Sequence, residues 1–124
     1  MGRLHSSVLE RIHNKRLNSI CFVLNYISLQ FEDHVLTALC LPVLRSGTTT
    51  VGPSDKEYKR ALCRHIGDVV ASTEEARLEL RIFLASGTAV TIPFNCGVPG
   101  AEVALLNSAQ AKFFMAWVQP ETAL

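Results

Sequence analysis

The sequence predicts an α+β fold: a mostly antiparallel curved sheet of about six strands, an N-terminal meander plus a second hairpin, packed on one central helix. Three observations predict it. Apolar residues recur at every second position through Arg16–Leu44 with two short polar breaks, the pattern of sequential antiparallel strands that bury one face. A second period-two pattern runs through residues 78–94 around a glycine-containing turn. Between them Tyr58, Leu62 and Ile66 recur at helical spacing.

Taken in order, Ser7-Val-Leu-Glu10 is a capping box in which serine and glutamate satisfy each other's end of a helix start. It opens at most two turns, with Val8, Leu9 and Ile12 on the buried side and Asn14 as a left-handed stop. In the meander, a two-residue Asn25-Tyr26 loop pairs Leu24 with Ile27, Phe22 with Leu29 and Ile20 with Phe31, which puts all six on one face. A three-residue Glu32-Asp33-His34 loop then places Val35, Thr37, Leu39, Leu41 and Val43 on that face, with Pro42 near the strand end because it has no N–H to donate. Residues 45–53, rich in Thr and Gly, read as the main loop.

Ser54-Asp-Lys-Glu57 is a second capping box, and the helix it opens runs about three and a half turns to Gly67. Residues 74–84 have good helix formers, but Leu78, Leu80, Ile82 and Leu84 alternate with Arg77, Glu79 and Arg81, so the segment reads as a strand. A three-residue Ala85-Ser86-Gly87 turn, with Gly87 left-handed, pairs Leu84 with Thr88, Ile82 with Val90 and Leu80 with Ile92. Pro99-Gly100 is a turn, Ala101–Leu106 a short helix or irregular segment, and Phe113, Met115 and Trp117 mark a last strand.

With 124 residues and 48% apolar composition the chain makes a single domain, residues 1–124, and needs no staple. A formal net charge of +1 gives no field to steer it onto nucleic acid, and no run is long and apolar enough to span a membrane. Gly2 and Ser6 fit the short myristoylation pattern only as such a common pattern does by chance. Cys21, Cys40, Cys63 and Cys96 are far apart in sequence and read as free thiols acting as small hydrophobes. With no export signal at the start, they imply a reducing cytoplasm.

No arrangement of nucleophiles and bases stands out. Cys63 and His65 point some 200° apart on a helix, and His5, His13 and His34 have no second ligand at metal spacing. Glu32-Asp33 and Glu74-Glu75 are adjacent acids whose side chains leave a strand on opposite faces. Gly97-Val-Pro-Gly100 lacks the Lys-Ser/Thr of a phosphate loop. Lys56, Lys59, Arg60 and Arg64 form an ordinary solvated helix side. No catalytic residue, metal or cofactor is therefore assigned, and the chain reads as a non-enzyme.

The segments Ser19-Ile-x-Phe22-Val23-x-Asn25-Tyr26-Ile27-x-Leu29-x-Phe31, Tyr58-x-x-Ala61-Leu62-Cys63-x-x-Ile66-Gly67 and Gly100-Ala101-Glu102 resemble a family of small, uncharacterised bacterial proteins. Those proteins occur in settings typical of contact-dependent growth inhibition and polymorphic-toxin immunity proteins. Asn25-Tyr26 stands where that family has Asp-Tyr, so no binding residue is transferred. The resemblance implies a cytoplasmic immunity protein that neutralises a cognate toxin domain by contact. The exposed acids and corners, Glu32, Asp33, His34, Glu74 and Glu75, are the expected partner-binding residues. The alternative is a small-ligand module with a pocket between helix and sheet.

Overall fold

The computed structural model describes residues 8–96, 99–108 and 113–120. The Ser7 cap, His5, the Gly2–Ser6 pattern, Gly97-Val98 and Lys112 lie outside them. The fold is mostly β, not α+β on a central helix. Ten strands form two antiparallel five-stranded sheets.

The first sheet has the order β1 (Leu17–Val23), β2 (Tyr26–Phe31), β3 (His34–Ala38), β9 (Glu102–Ser108), β10 (Phe113–Val118). The second has the order β5 (Thr49–Val51), β4 (Val43–Ser46), β8 (Ala89–Pro93), β7 (Glu79–Leu84), β6 (Val70–Glu75). Their inner faces carry one core, in which Leu29, Phe31, Leu36, Leu80, Ile82, Ile92 and Leu106 are essentially solvent-free. β6 starts beside β1, where Arg16 bridges to Val69, and ends beside β10, where Glu75 meets Trp117. The second sheet's edge thus crosses the first sheet from one side to the other.

Several expectations change. The expected central helix shrinks to α1 (Tyr58–Cys63), six residues whose N-cap, Glu57, makes no side-chain capping bond. The Ser54 capping box does not form, because Asp55 instead accepts the Gly52 N–H at 2.7 Å. Beyond Cys63 the chain winds into tighter turns, Ile66 is 43% exposed, and Gly67 stops it at φ 100° as expected of a left-handed glycine. The buried side, Tyr58, Ala61 and Leu62, packs the helix on the core, and Tyr58 donates its hydroxyl to the Pro42 carbonyl. Burial pushes that phenol's pKa up.

The first turn is Leu24-Asn25, not Asn25-Tyr26: Val23 pairs with Tyr26, Phe22 with Ile27 and Ile20 with Leu29. Leu24, expected in the core, is 94% exposed at the tip. The second turn is shorter than expected. Glu32 takes φ 56°, Phe31 pairs with His34, and a two-residue turn results. A one-residue slip inverts every side chain, so His34, Leu36 and Ala38 face inward and Val35 and Thr37 outward.

Four strands were not expected. Residues 45–53 hold the β4–β5 hairpin, turning at Gly47 with φ 58°. Val70–Glu75 is a separate edge strand, joined to β7 by a tight turn in which Ala76 N–H donates to the Glu79 carbonyl. Glu102–Ser108 is central strand β9 and not a helix. The register of the β7–β8 hairpin is as expected: Leu80 faces Ile92, Ile82 faces Val90, and Gly87 has φ 100°. Leu78 is 60% exposed and lies outside that face. The helix at Val8–Ile12 is a 3₁₀ helix, with Leu9 and Ile12 fully buried and Asn14 left-handed at φ 66°.

The cysteine reading is corrected as well. Cys40 and Cys96 form a disulfide, with Cα atoms 5.5 Å apart, while Cys21 and Cys63 are exposed free thiols. Cys40 follows β3 and Cys96 follows β8, the two places where the chain passes between sheets. Because β3 neighbours β9 and β4 neighbours β8, the two crossovers run side by side. No helix among the described residues is long and apolar enough to cross a membrane.

Candidate functional site

The expected contact acids fall into two corners. At the β2–β3 turn, Glu32 Oε2 accepts the Arg16 backbone N–H at 2.9 Å. Asp33 Oδ1 lies 2.9 Å from His34 Nδ1 and 3.1 Å from Lys15 Nζ. Hydrogen bonds from His34 and then Lys15 draw the Asp33 carboxyl down from 3.8 to about 2. His34 itself is only 5% exposed, and its Nε2 has no hydrogen-bond partner among the described residues. Its ring packs inward against the first sheet and offers nothing to a partner.

At the end of β6, Glu74 points outward and accepts from Arg81 Nη1 at 2.8 Å, and Arg81 Nε also donates to Glu79. Glu75 points the other way, between the sheets. Its Oε2 accepts the Leu9 N–H at 2.8 Å and its Oε1 the indole N–H of Trp117 at 3.1 Å. One carboxylate therefore ties the 3₁₀ helix, the edge of the second sheet and the edge of the first. The two corners lie at opposite ends of β6, so the structure does not bring the five residues into one cluster.

The outer faces of the two sheets differ in charge. On the second sheet, Glu74, Arg81, Glu79 and Arg45 face outward beside Val43, Phe83, Ala89 and Thr91, a mixed exterior with charged side chains along its rows. On the first sheet, register sets three outward rows. Ser19, Gln30, Val35, Asn107 and Phe114 make one, and Cys21, Ser28, Thr37, Leu105 and Ala116 the next. The third includes Val23, Tyr26, Val118 and, opposite Val118, Glu102. Apart from Glu102 at its margin, none of these side chains carries a charge. Val23, Phe114 and Val118 are 40%, 58% and 49% exposed.

Four polar members of that face pair with each other: Ser19 donates to Gln30 at 3.2 Å, and the Ser28 and Thr37 hydroxyls lie 3.3 Å apart. Covering it therefore strands few polar groups. Five strands at about 4.8 Å spacing make the face roughly 24 Å wide. Sequence reasoning missed it because the wrong β2–β3 turn placed Val35 and Thr37 inside and because β9 was not read as a strand. The alternation in β10 was the only part of the signal on view.

Among the described residues no group of three or more His, Cys, Asp or Glu could hold a metal ion. No family model, curated protein or solved structure matches the chain.

Proposed function

We propose that the chain is an immunity-type contact module that neutralises a cognate toxin domain by covering it, without performing a reaction. The observation that supports this reading is the outer face of the first sheet, whose two central rows carry no charge and on which Phe114, Val118 and Val23 are exposed. A partly apolar surface of this kind, with a charged residue only at its margin, is what protein-binding faces present. Glu32 and Asp33 border the face at the β2–β3 turn and supply rim polarity; Lys15 partly neutralises Asp33.

The experiment is co-expression with the polypeptide encoded immediately upstream. Stable one-to-one co-elution and loss of that polypeptide's toxicity support the proposal. Co-elution should fail on Thr37→Glu or Leu105→Arg at the centre of the face. No complex with wild type, together with a ligand-induced rise in melting temperature, speaks for the small-ligand module instead. The Cys40–Cys96 bridge favours oxidising surroundings, where such bonds persist, over the reducing cytoplasm expected from the sequence. Rapid alkylation in cells that finds both cysteines blocked places the chain outside a reducing cytoplasm; free thiols place it inside.

A further inference from the structure

Each sheet has two edges, and an edge strand left open invites another strand. Three of the four edges carry an obstacle. β1 has a bulge between Leu17 and Ser19, and the start of the strand is already bonded to residues 67–70. β6 has a bulge between Val70 and Ser72 and turns Glu75 inward. β5 is only three residues long. β10 differs: it is six residues long, none of Phe113–Val118 is charged, and among the described residues only β9 pairs with it. Its one irregularity, between Trp117 and Val118, places the extra residue, Val103, on β9, so β10 itself runs straight.

We infer that β10 is a self-association edge, on which a second copy of this chain pairs its own β10 antiparallel to make a continuous ten-stranded sheet. Two features of the strand point to a second copy. The strand is free of charge, so two copies related by a two-fold axis meet without the like-charge repulsion that symmetry would impose on any charged residue near the axis. The strand is also self-complementary in one register. Residues directly opposite in an antiparallel pair point to the same side, so the two sheets' inner faces stay continuous only when the paired numbers have an even sum. Centring on Ala116 puts Phe114 opposite the partner copy's Val118, twice over, and Met115 opposite Trp117. The two most exposed apolar side chains of the strand thereby cover each other as aromatic–β-branched pairs, and the smallest side chain lies on the axis. This association covers Phe114 and Val118 at the margin of the outer face and leaves its centre, Thr37 and Leu105, open, so it does not depend on the immunity reading.

The test is sedimentation of the full chain over a range of concentrations. A rise from 13.6 kDa to twice that mass is expected. The weighted mass of Phe114→Lys/Val118→Lys should stay at the monomer value, with wild-type melting and Trp117 fluorescence confirming that these exposed substitutions leave the fold intact. Leu24→Lys, at the hairpin tip, should dimerise like wild type. In a Cys21→Ser/Cys63→Ser background, Ala116→Cys should join to a second copy through a short thiol cross-linker while Leu24→Cys does not. A chain that stays monomeric throughout overturns the inference. So does a dimer indifferent to the double lysine variant, or a monomer whose β10 amides resist hydrogen exchange because a segment of the same chain covers them.

Discussion

Glu75→Ala should be among the most damaging polar substitutions in this protein. Among its contacts the carboxylate accepts hydrogen bonds from Leu9 N–H at 2.8 Å and Trp117 Nε1 at 3.1 Å, and so fastens three elements that share no ladder. A hydrogen bond to a charged acceptor contributes about 1.5–3 kcal/mol, and losing the acceptor strands an indole N–H on a residue 7% exposed. The two bonds share one group and do not add fully, so the expected loss is about 3–4 kcal/mol. For a domain of this size that is a fall of roughly 10–15 °C in melting temperature. Glu75→Gln keeps one acceptor oxygen and should fall between wild type and Glu75→Ala. Urea unfolding gives the free energies, and Trp117, the only tryptophan, reports its own site through fluorescence. A Glu75→Ala protein within about 1 kcal/mol of wild type, with unchanged emission, refutes the fastening role.

Other expectations are open to direct measurement. Replacing Cys40 and Cys96 by serine, which frees a closed loop of sequence separation 56, should cost about 4 kcal/mol in the chain-entropy account, read by urea unfolding with and without reductant. Thr73 Oγ1 is buried without a hydrogen-bond partner among the described residues, so Thr73→Val should raise stability by about 1 kcal/mol, and a loss of stability contradicts the orphaned hydroxyl. The folded-state carboxyl of Asp33 sits at about 2 against 3.8 unfolded. Its contribution is therefore present above pH 4 and lost as pH falls from about 4 to 2, and Asp33→Asn should flatten the stability profile in that window.

The β7–β8 hairpin was fully legible because a clean alternation and Gly87 specify both register and turn. Elsewhere the local signal was weaker than the tertiary one. Leu24 reads as core by composition, yet it is the tip residue that leaves Val23 and Tyr26 to pair. Nothing local demanded that Glu32 adopt a left-handed backbone, and that one angle decides which face of β3 is buried. β6 was hidden because an edge strand reading Ala-Ser-Thr-Glu-Glu buries little apolar surface; its inward Glu75 is explained only by partners 66 and 42 residues away. The helix signal at 54–67 was locally sound, but a core already enclosed by two sheets leaves room to bury only one turn and a half of it. The disulfide depended on two crossovers lying side by side, a fact of topology that cysteine spacing does not carry. Of the candidate site, the outer face of the first sheet was not legible, since it exists only once β3, β9 and β10 are placed together.

The most direct test of the central claim, that the outer face of the first sheet is the working surface, is growth protection against the co-encoded polypeptide by the Thr37→Glu protein. Thr37 lies at the middle of that face, half-buried and away from the core. Protection lost while the melting temperature stays at the wild-type value is the predicted result. Full protection by a normally folded Thr37→Glu protein contradicts the account.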